Sequence, residues 1–211
     1  MYRILLDIID KPRRLTVAVS VHYYYMIQYA RGFVTGIRQR SFFVALPKAA
    51  VVIGSDSDYP VIADMLKILK DFGIEYEIVI SSAHRSPART HQYAKKLESR
   101  GVEVVIACAG AAAHLAGVIA SETILPVIGV PIDSSPLKGI DALLSTSMMP
   151  AGIPVATMGI GKSGANNAAV LTAQILARKD GGLAGKLRDY KKRLARGVEK
   201  KDAELQKFLY G

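Results

Sequence analysis

Residues 49–73, AAVVIGSDSDYPVIADMLKILKDFG, decide the fold. The run AAVVIG is apolar at every position and ends in glycine. It reads as a strand covered on both faces, because a half-exposed strand would alternate apolar and polar. After SDSDYP the period changes. Val61, Ile62, Met65, Leu66 and Leu69 recur every three or four residues, the spacing of one helix face, and Gly73 stands where a left-handed C-cap is expected. A buried strand, a short polar turn and an amphipathic helix make the first half of a βαβ unit.

The same grammar repeats downstream. EYEIVIS (75–81) is a second strand, and PARTHQYAKKLESRG (87–101) a second helix, with Pro87 near its start and Gly101 after its end. VEVVIACAG (102–110) is a third strand, and AAAHLAGVIASET (111–123) a third helix. PVIGVPI (126–132) and IPVATMGI (153–160) read as fourth and fifth strands, and GANNAAVLTAQILAR (164–178) as an alanine-rich buried helix. Strands alternating with helices of this length predict a doubly wound, flavodoxin/Rossmann-like parallel sheet of about five strands with helices on both faces. Residues 48–178 are assigned to this α/β domain. Residues 179–211 read as an amphipathic tail helix, with Leu183, Leu187, Tyr190, Leu194 and Val198 in a stripe among lysines and arginines. The tail is expected to pack that stripe on the same or, preferentially, a neighbouring subunit rather than on a membrane.

Composition narrows the function. The chain of 211 residues is half hydrophobic, enough for one sizeable core. Cys108 is the only cysteine, so an intrachain disulfide and a cysteine metal cluster are both excluded, and a reducing cytoplasmic setting fits. The net charge of +10 invites a nucleic-acid reading, but it is unevenly spread: +6 over residues 1–48, −2 over 49–177 and +6 over 178–211. A nucleic-acid-binding domain should carry its charge on the folded body, beside a recognisable reading motif. Neither is present. Residues 1–47 are arginine-bearing, poor in acids and without a clean period. Their uncharged stretch 15–30 is shorter than the roughly 20 apolar residues a membrane span needs. Two readings remain, an organellar transit segment, for which serine and threonine are sparse, and the preferred one, a poorly ordered extension that need not belong to the native protein.

Polar residues collect where strands end, and in open parallel sheets ligands bind outside the carboxyl ends of the strands. GSDSD (54–58) offers hydroxyls and backbone N–H groups at a helix start, which attracts phosphate, although Asp58 could equally be a helix cap. SSAHRSP (81–87) puts Ser82, His84 and Arg85 on the same edge. An arginine fork suits phosphate and a histidine can move protons near neutral pH. AGAAAHLAG (109–117) supplies small residues that let a ligand approach backbone, and His114, which reads equally as a structural or a chemical imidazole. His91 has no assigned role. The histidines and acids show no metal-ligand spacing, and no Walker loop or GxGxxG occurs. Spacing alone therefore points to a phosphorylated small molecule held between three loops, with His84 free for proton transfer.

Taken together, GSDSD, SAHRSP, AGAAAHLAG, GIDALLS…MPAGIPV and IGKSGANNAAVLTAQILA resemble the class I 5-(carboxyamino)imidazole ribonucleotide mutases of purine biosynthesis, over about residues 49–178. The resemblance implies interconversion of 5-(carboxyamino)imidazole ribonucleotide and 4-carboxy-5-aminoimidazole ribonucleotide, with no metal, ATP or organic cofactor. It implies His84 as the catalytic proton shuttle, and Ser55, Ser82 and Arg85 on the 5′-phosphate. Asp58 would take the ribose hydroxyls, and Gly110, Ala111 and Ala112 would line the imidazole and carboxylate side. It further implies a homo-octamer and functional coupling to the ATP-dependent synthase that makes the carbamate. The chain departs from the family pattern in SAHRSP for SAHRTP and in Met148 for a common Gln. Ala111 and Ala116 stand where Gly and Pro are usual. Two alternatives are direct carboxylation of aminoimidazole ribonucleotide, the class II activity, and a non-catalytic nucleotide-binding protein. The AHL segment favours class I, since class II enzymes usually carry an SN segment there.

Overall fold

The computed structural model describes residues 46–210. The readings made on residues 1–45 lie outside the described residues. Five parallel strands run in the order β2-β1-β3-β4-β5, with β1 Ala49–Ile53, β2 Tyr76–Ile80, β3 Val104–Gly110, β4 Val127–Ile132 and β5 Ala156–Thr157. The chain first moves from β1 outward to β2, then returns to the other side of β1 for β3. This reversal makes the carboxyl ends of β1 and β3 the switch point of the sheet, where the connecting loops diverge and leave a crevice.

Side-chain alternation in the strands feeds two cores. On one face Val51, Ile53, Ile106, Cys108, Ile128 and Val130 meet helix α1 (Tyr59–Phe72) through Ile62, Met65 and Leu69. Helix α5 (Gly161–Leu176) covers the same face through Ala165, Ala168, Ala169 and Ala173. Its alanines allow close approach, and a methyl group on Gly164 would overlap the Gly159 carbonyl. On the other face Val52, Val105 and Ala107 meet Leu97 and Ala94 of helix α2 (Pro87–Ala94) and its continuation. Leu115, Ala116 and Ile119 of helix α3 (Leu115–Ala120) complete that layer. Fully burying an aliphatic side chain of this size contributes about 1.5–3 kcal/mol, so β1 and β3, buried along most of their length, anchor the domain.

Four local expectations need adjustment. The second helix stops at Ala94 and passes through turns to a 3₁₀ segment, Glu98–Arg100, before the left-handed Gly101. The third helix spans only Leu115–Ala120, because left-handed Ala111 and the turns after it delay its start. The fifth strand is two residues long rather than eight, since only Ile128 and Gly129 of β4 pair with it. A further helix, α4 (Ile140–Ser147), lies between β4 and β5, and its Thr146 packs on the bare backbone of Gly129. The tail forms α6, Gly181–Tyr210; Leu183 and Leu187 join the first core, whereas Leu194 and Val198 are exposed. No helix among the described residues is long and apolar enough to cross a membrane.

Candidate functional site

Gly54 ends β1, and its N–H donates to the Cys108 carbonyl at 3.0 Å, tying β1 to β3 just before their loops part. Ser55 then caps the 3₁₀ turn Asp56–Asp58. Its hydroxyl accepts from Ser57 N–H at 3.4 Å and donates to Asp56 Oδ1 at 3.0 Å, while Ser57 Oγ lies 2.9 Å away. Asp58 does not cap α1; its carboxylate turns back and accepts from Ser55 N–H at 3.1 Å. Only 4 % of Asp58 is exposed. Burial raises its carboxyl above the usual carboxylate value, an effect that N–H groups of Ser55 and Gly54 reduce, Asp56 adds to and Arg85 opposes. A carboxylate buried at a strand end, with little of its acceptor capacity used by the fold, is a functional candidate on physical grounds. Cys108 is fully buried beneath it, and burial, then the Asp58 charge, raises its thiol well above the usual value. A protonated, enclosed thiol is inert as a nucleophile.

The loop after β2 is pinned from below. Buried Ser81 shares a 2.8 Å hydroxyl contact with buried Thr90 of α2, and Ser81 N–H continues the ladder to the Ile53 carbonyl at 2.9 Å. Ser82 follows, its hydroxyl accepting from Arg85 N–H at 3.2 Å. This closes a turn that leaves His84 and Arg85 exposed. Arg85 reaches across to β1 and donates from Nη2 to the Gly54 carbonyl at 3.3 Å, so the guanidinium is held over the first strand end.

The loop after β3 runs Gly110, Ala111, Ala112. Ala111 has φ +53°, a left-handed conformation that side chains rarely adopt. The turn it makes returns Ala113 N–H to the Ala111 carbonyl and His114 N–H to the Ala112 carbonyl. Among the described residues the N–H groups of Ala111 and Ala112 have no acceptor. His114 follows, and its Nδ1 lies 2.8 Å from His84 Nε2. The three loops thus bring Ser55, Asp58, Ser82, His84, Arg85, Gly110, Ala111 and Ala112 to one edge, as their strand ends require. His114 joins them. Its partner lies thirty residues away, in the loop of a strand separated from its own by β1, so local spacing does not decide its role. The hydroxyls of Ser57, Ser81 and Thr90, which no local motif marks, shape the loops.

Surface grooves lie elsewhere, one lined by Lys70, Gly73, Ile74, Glu75 and Tyr76 and another by α1 and α6 residues including Phe72, Lys186 and Tyr190. Neither is lined by a polar residue from the carboxyl end of a strand. Among the described residues no cluster of three or more His, Cys, Asp or Glu could hold a metal ion.

The fold and the edge define a class: a doubly wound α/β protein with a polar edge across the sheet's switch point. Residues 48–197 match the family model described as AIR carboxylase. A protein of Pyrococcus horikoshii named N5-carboxyaminoimidazole ribonucleotide mutase is 53% identical over 162 residues, covering 77% of this chain and 90% of its own. The Thermotoga maritima protein of that name is 50% identical over 165 residues, covering 78% of this chain and 95% of its own. The crystal structure of Treponema denticola PurE superposes with a TM-score of 0.69 at 29% identity, covering 76% of this chain and 99% of that one. The chain belongs to the AIR carboxylase family.

Proposed function

We propose that the chain interconverts 5-(carboxyamino)imidazole ribonucleotide and 4-carboxy-5-aminoimidazole ribonucleotide in purine biosynthesis. The single observation that carries the reading is His84 on the switch-point edge, exposed beside Arg85 and hydrogen-bonded to His114. The names and identities of the relatives support it.

In this reading Arg85, Ser55 and Ser82 take the 5′-phosphate and Asp58 accepts from the ribose hydroxyls. Gly110, Ala111 and Ala112 line the imidazole and carboxylate. His84 protonates the exocyclic nitrogen as its bond to the carboxylate carbon breaks, the electron pair remaining on nitrogen. The freed carbon dioxide is attacked by ring carbon 4, forming the new carbon–carbon bond. His84 then removes the proton from carbon 4 and returns to its starting state. One imidazole serves both transfers because the base left by the first is the group that takes up the proton in the second. Holding carbon dioxide beside carbon 4 gives the second step the advantage of proximity.

The edge is open in one chain, with His84, Arg85 and His114 exposed, which supports completion of the site by further copies. A homo-octamer, with the outer part of α6 covering its exposed Leu194 and Val198 on a neighbour, is consistent with that exposure. The reading places the enzyme in the cytoplasm, downstream of the ATP-dependent synthase that supplies the carbamate.

The test is turnover by purified protein with the carbamate nucleotide, against aminoimidazole ribonucleotide plus bicarbonate. Conversion of the first without need of bicarbonate supports the mutase. Conversion of the second alone establishes direct carboxylation, and turnover of neither leaves a binding protein.

A further inference from the structure

The first three strand ends each contribute to the proposed substrate site, whereas β4, the neighbour of β3, has been given no part in it. Yet Gly110 pairs with Ile132 in the parallel register, so the chain leaving β4 begins its turn beside the end of β3. Ser134 N–H donates to the Ile132 carbonyl at 3.0 Å and folds the loop back over that end. The consequence is visible at Gly110. A methyl group built there would overlap Ser134 Oγ and would sit 3.0 Å from Ser134 Cβ and 3.2 Å from the Ile132 carbonyl. Gly110 is not among the residues with positive φ, so closeness to Ser134 rather than backbone conformation calls for glycine.

Two adjacent serines have different fates. Ser135 is used by the fold: its hydroxyl donates to Asp141 Oδ1 at 2.8 Å and accepts from Leu137 N–H at 3.3 Å. Ser134 is exposed, and its hydroxyl makes no hydrogen bond among the described residues. It lies against the glycine that opens the loop of Ala111 and Ala112.

We propose that Ser134 is a further substrate-binding residue, whose hydroxyl donates a hydrogen bond to the carboxylate carried on ring carbon 4. This rests on the reading that residues 110–112 face the imidazole and carboxylate. A hydroxyl is a suitable donor at this place because a bond to an ionised oxygen is short and about twice as strong as a neutral one. The carboxylate differs between bound states, so Ser134 discriminates nucleotides that carry it on carbon 4 from those that lack it.

The experiment compares wild type and Ser134→Ala, as full-length protein, by calorimetric titration with 4-carboxy-5-aminoimidazole ribonucleotide and with aminoimidazole ribonucleotide. Ser134 is exposed, so alanine should leave the melting temperature unchanged. The expected result is about tenfold or greater weakening for the carboxylated nucleotide, the size of one charge-assisted bond, with the other nucleotide bound as by wild type. Equal weakening of both, or of neither, overturns the assignment of Ser134 while leaving the mutase reading standing. Wild-type protein that binds neither nucleotide overturns that reading and this assignment together.

Discussion

His84 Nε2 and His114 Nδ1 face one another at 2.8 Å, with the ring planes 81° apart and the centroids 4.9 Å apart. Only one of the two facing nitrogens can carry the hydrogen of that bond. The contact engages His84 Nε2 and leaves Nδ1 for substrate, and which ring carries the shared hydrogen sets whether that Nδ1 donates or accepts. Two loops from non-adjacent strands meet in this contact, so it also fixes their separation.

His84→Asn keeps the size and some hydrogen bonding but removes the titratable proton. Nucleotide affinity should survive, because Arg85, Ser55, Ser82 and Asp58 remain, while turnover should fall by at least the ~10²–10⁴-fold that general acid–base catalysis supplies. His114→Asn should cost less, since it removes the ring that faces His84 and leaves His84 itself in place. Affinity and turnover measured on the same preparation separate binding from proton transfer. Turnover within a few-fold of wild type for His84→Asn would make His84 structural.

Arg85→Ala should act mainly on binding. The phosphate does not change during the reaction, so its contact is the same in ground and transition states and its loss raises KM. Charge-assisted bonds are worth about 1.5–3 kcal/mol each, which corresponds to roughly 10- to 150-fold in affinity. Steady-state kinetics decide: a fall in kcat at unaltered KM counts against a phosphate role.

Legibility in the sequence followed the range of the interactions. β1, β3 and β4 announced themselves because strands buried on both faces must be apolar at every position, and burial there is complete or nearly so. The α1 stripe and its Gly73 cap were equally local signals, and Gly73 is left-handed at φ +75°. The fifth strand was overread because IPVATMGI is apolar while only two of its residues find a partner on β4. Helix α4 gave a weaker signal, with Ala142 and Thr146 as its buried residues. At the site, single-loop chemistry was legible: Ser82, His84 and Arg85 lie within one turn. Contacts between loops were not, because Arg85 to Gly54, His84 to His114 and Ser134 to Gly110 depend on strand order. No spacing along the chain encodes that order.

Ala111→Gly should stabilise the protein. A side chain at φ +53° costs about 1–2 kcal/mol, whereas glycine adopts that region freely and loses about 0.5–1 kcal/mol through its more mobile unfolded state. Ala111 is exposed, so its methyl buries little surface. The expected net gain is up to about 1.5 kcal/mol, read as a higher urea midpoint at unchanged slope. A lower midpoint would show that the methyl group makes a compensating contact.

Asp58→Asn sets stability against function at one residue. Burial is the first cause of the raised carboxyl, so the folded protein favours the protonated form relative to the unfolded chain, whose value is near 3.8. The sign follows from that direction. The favourable contribution is complete below the unfolded value and is lost as pH rises through the higher folded value. At neutral pH, well above the unfolded value, the wild type is therefore less stable than in acid because its carboxyl is enclosed. Asparagine has the same shape, retains an oxygen to accept from Ser55 N–H, and has no charge to desolvate. The variant should be at least as stable as wild type at pH 7 in urea unfolding, and any advantage should shrink as the pH is lowered and the wild-type carboxyl takes up its proton. Binding should move the other way. Losing the carboxyl that accepts from the ribose hydroxyls should weaken nucleotide affinity by about tenfold or more. A variant less stable than wild type at pH 7 would mean that the Asp58 carboxylate holds the Ser55 turn together; one that binds nucleotide as tightly as wild type would remove Asp58 from the site.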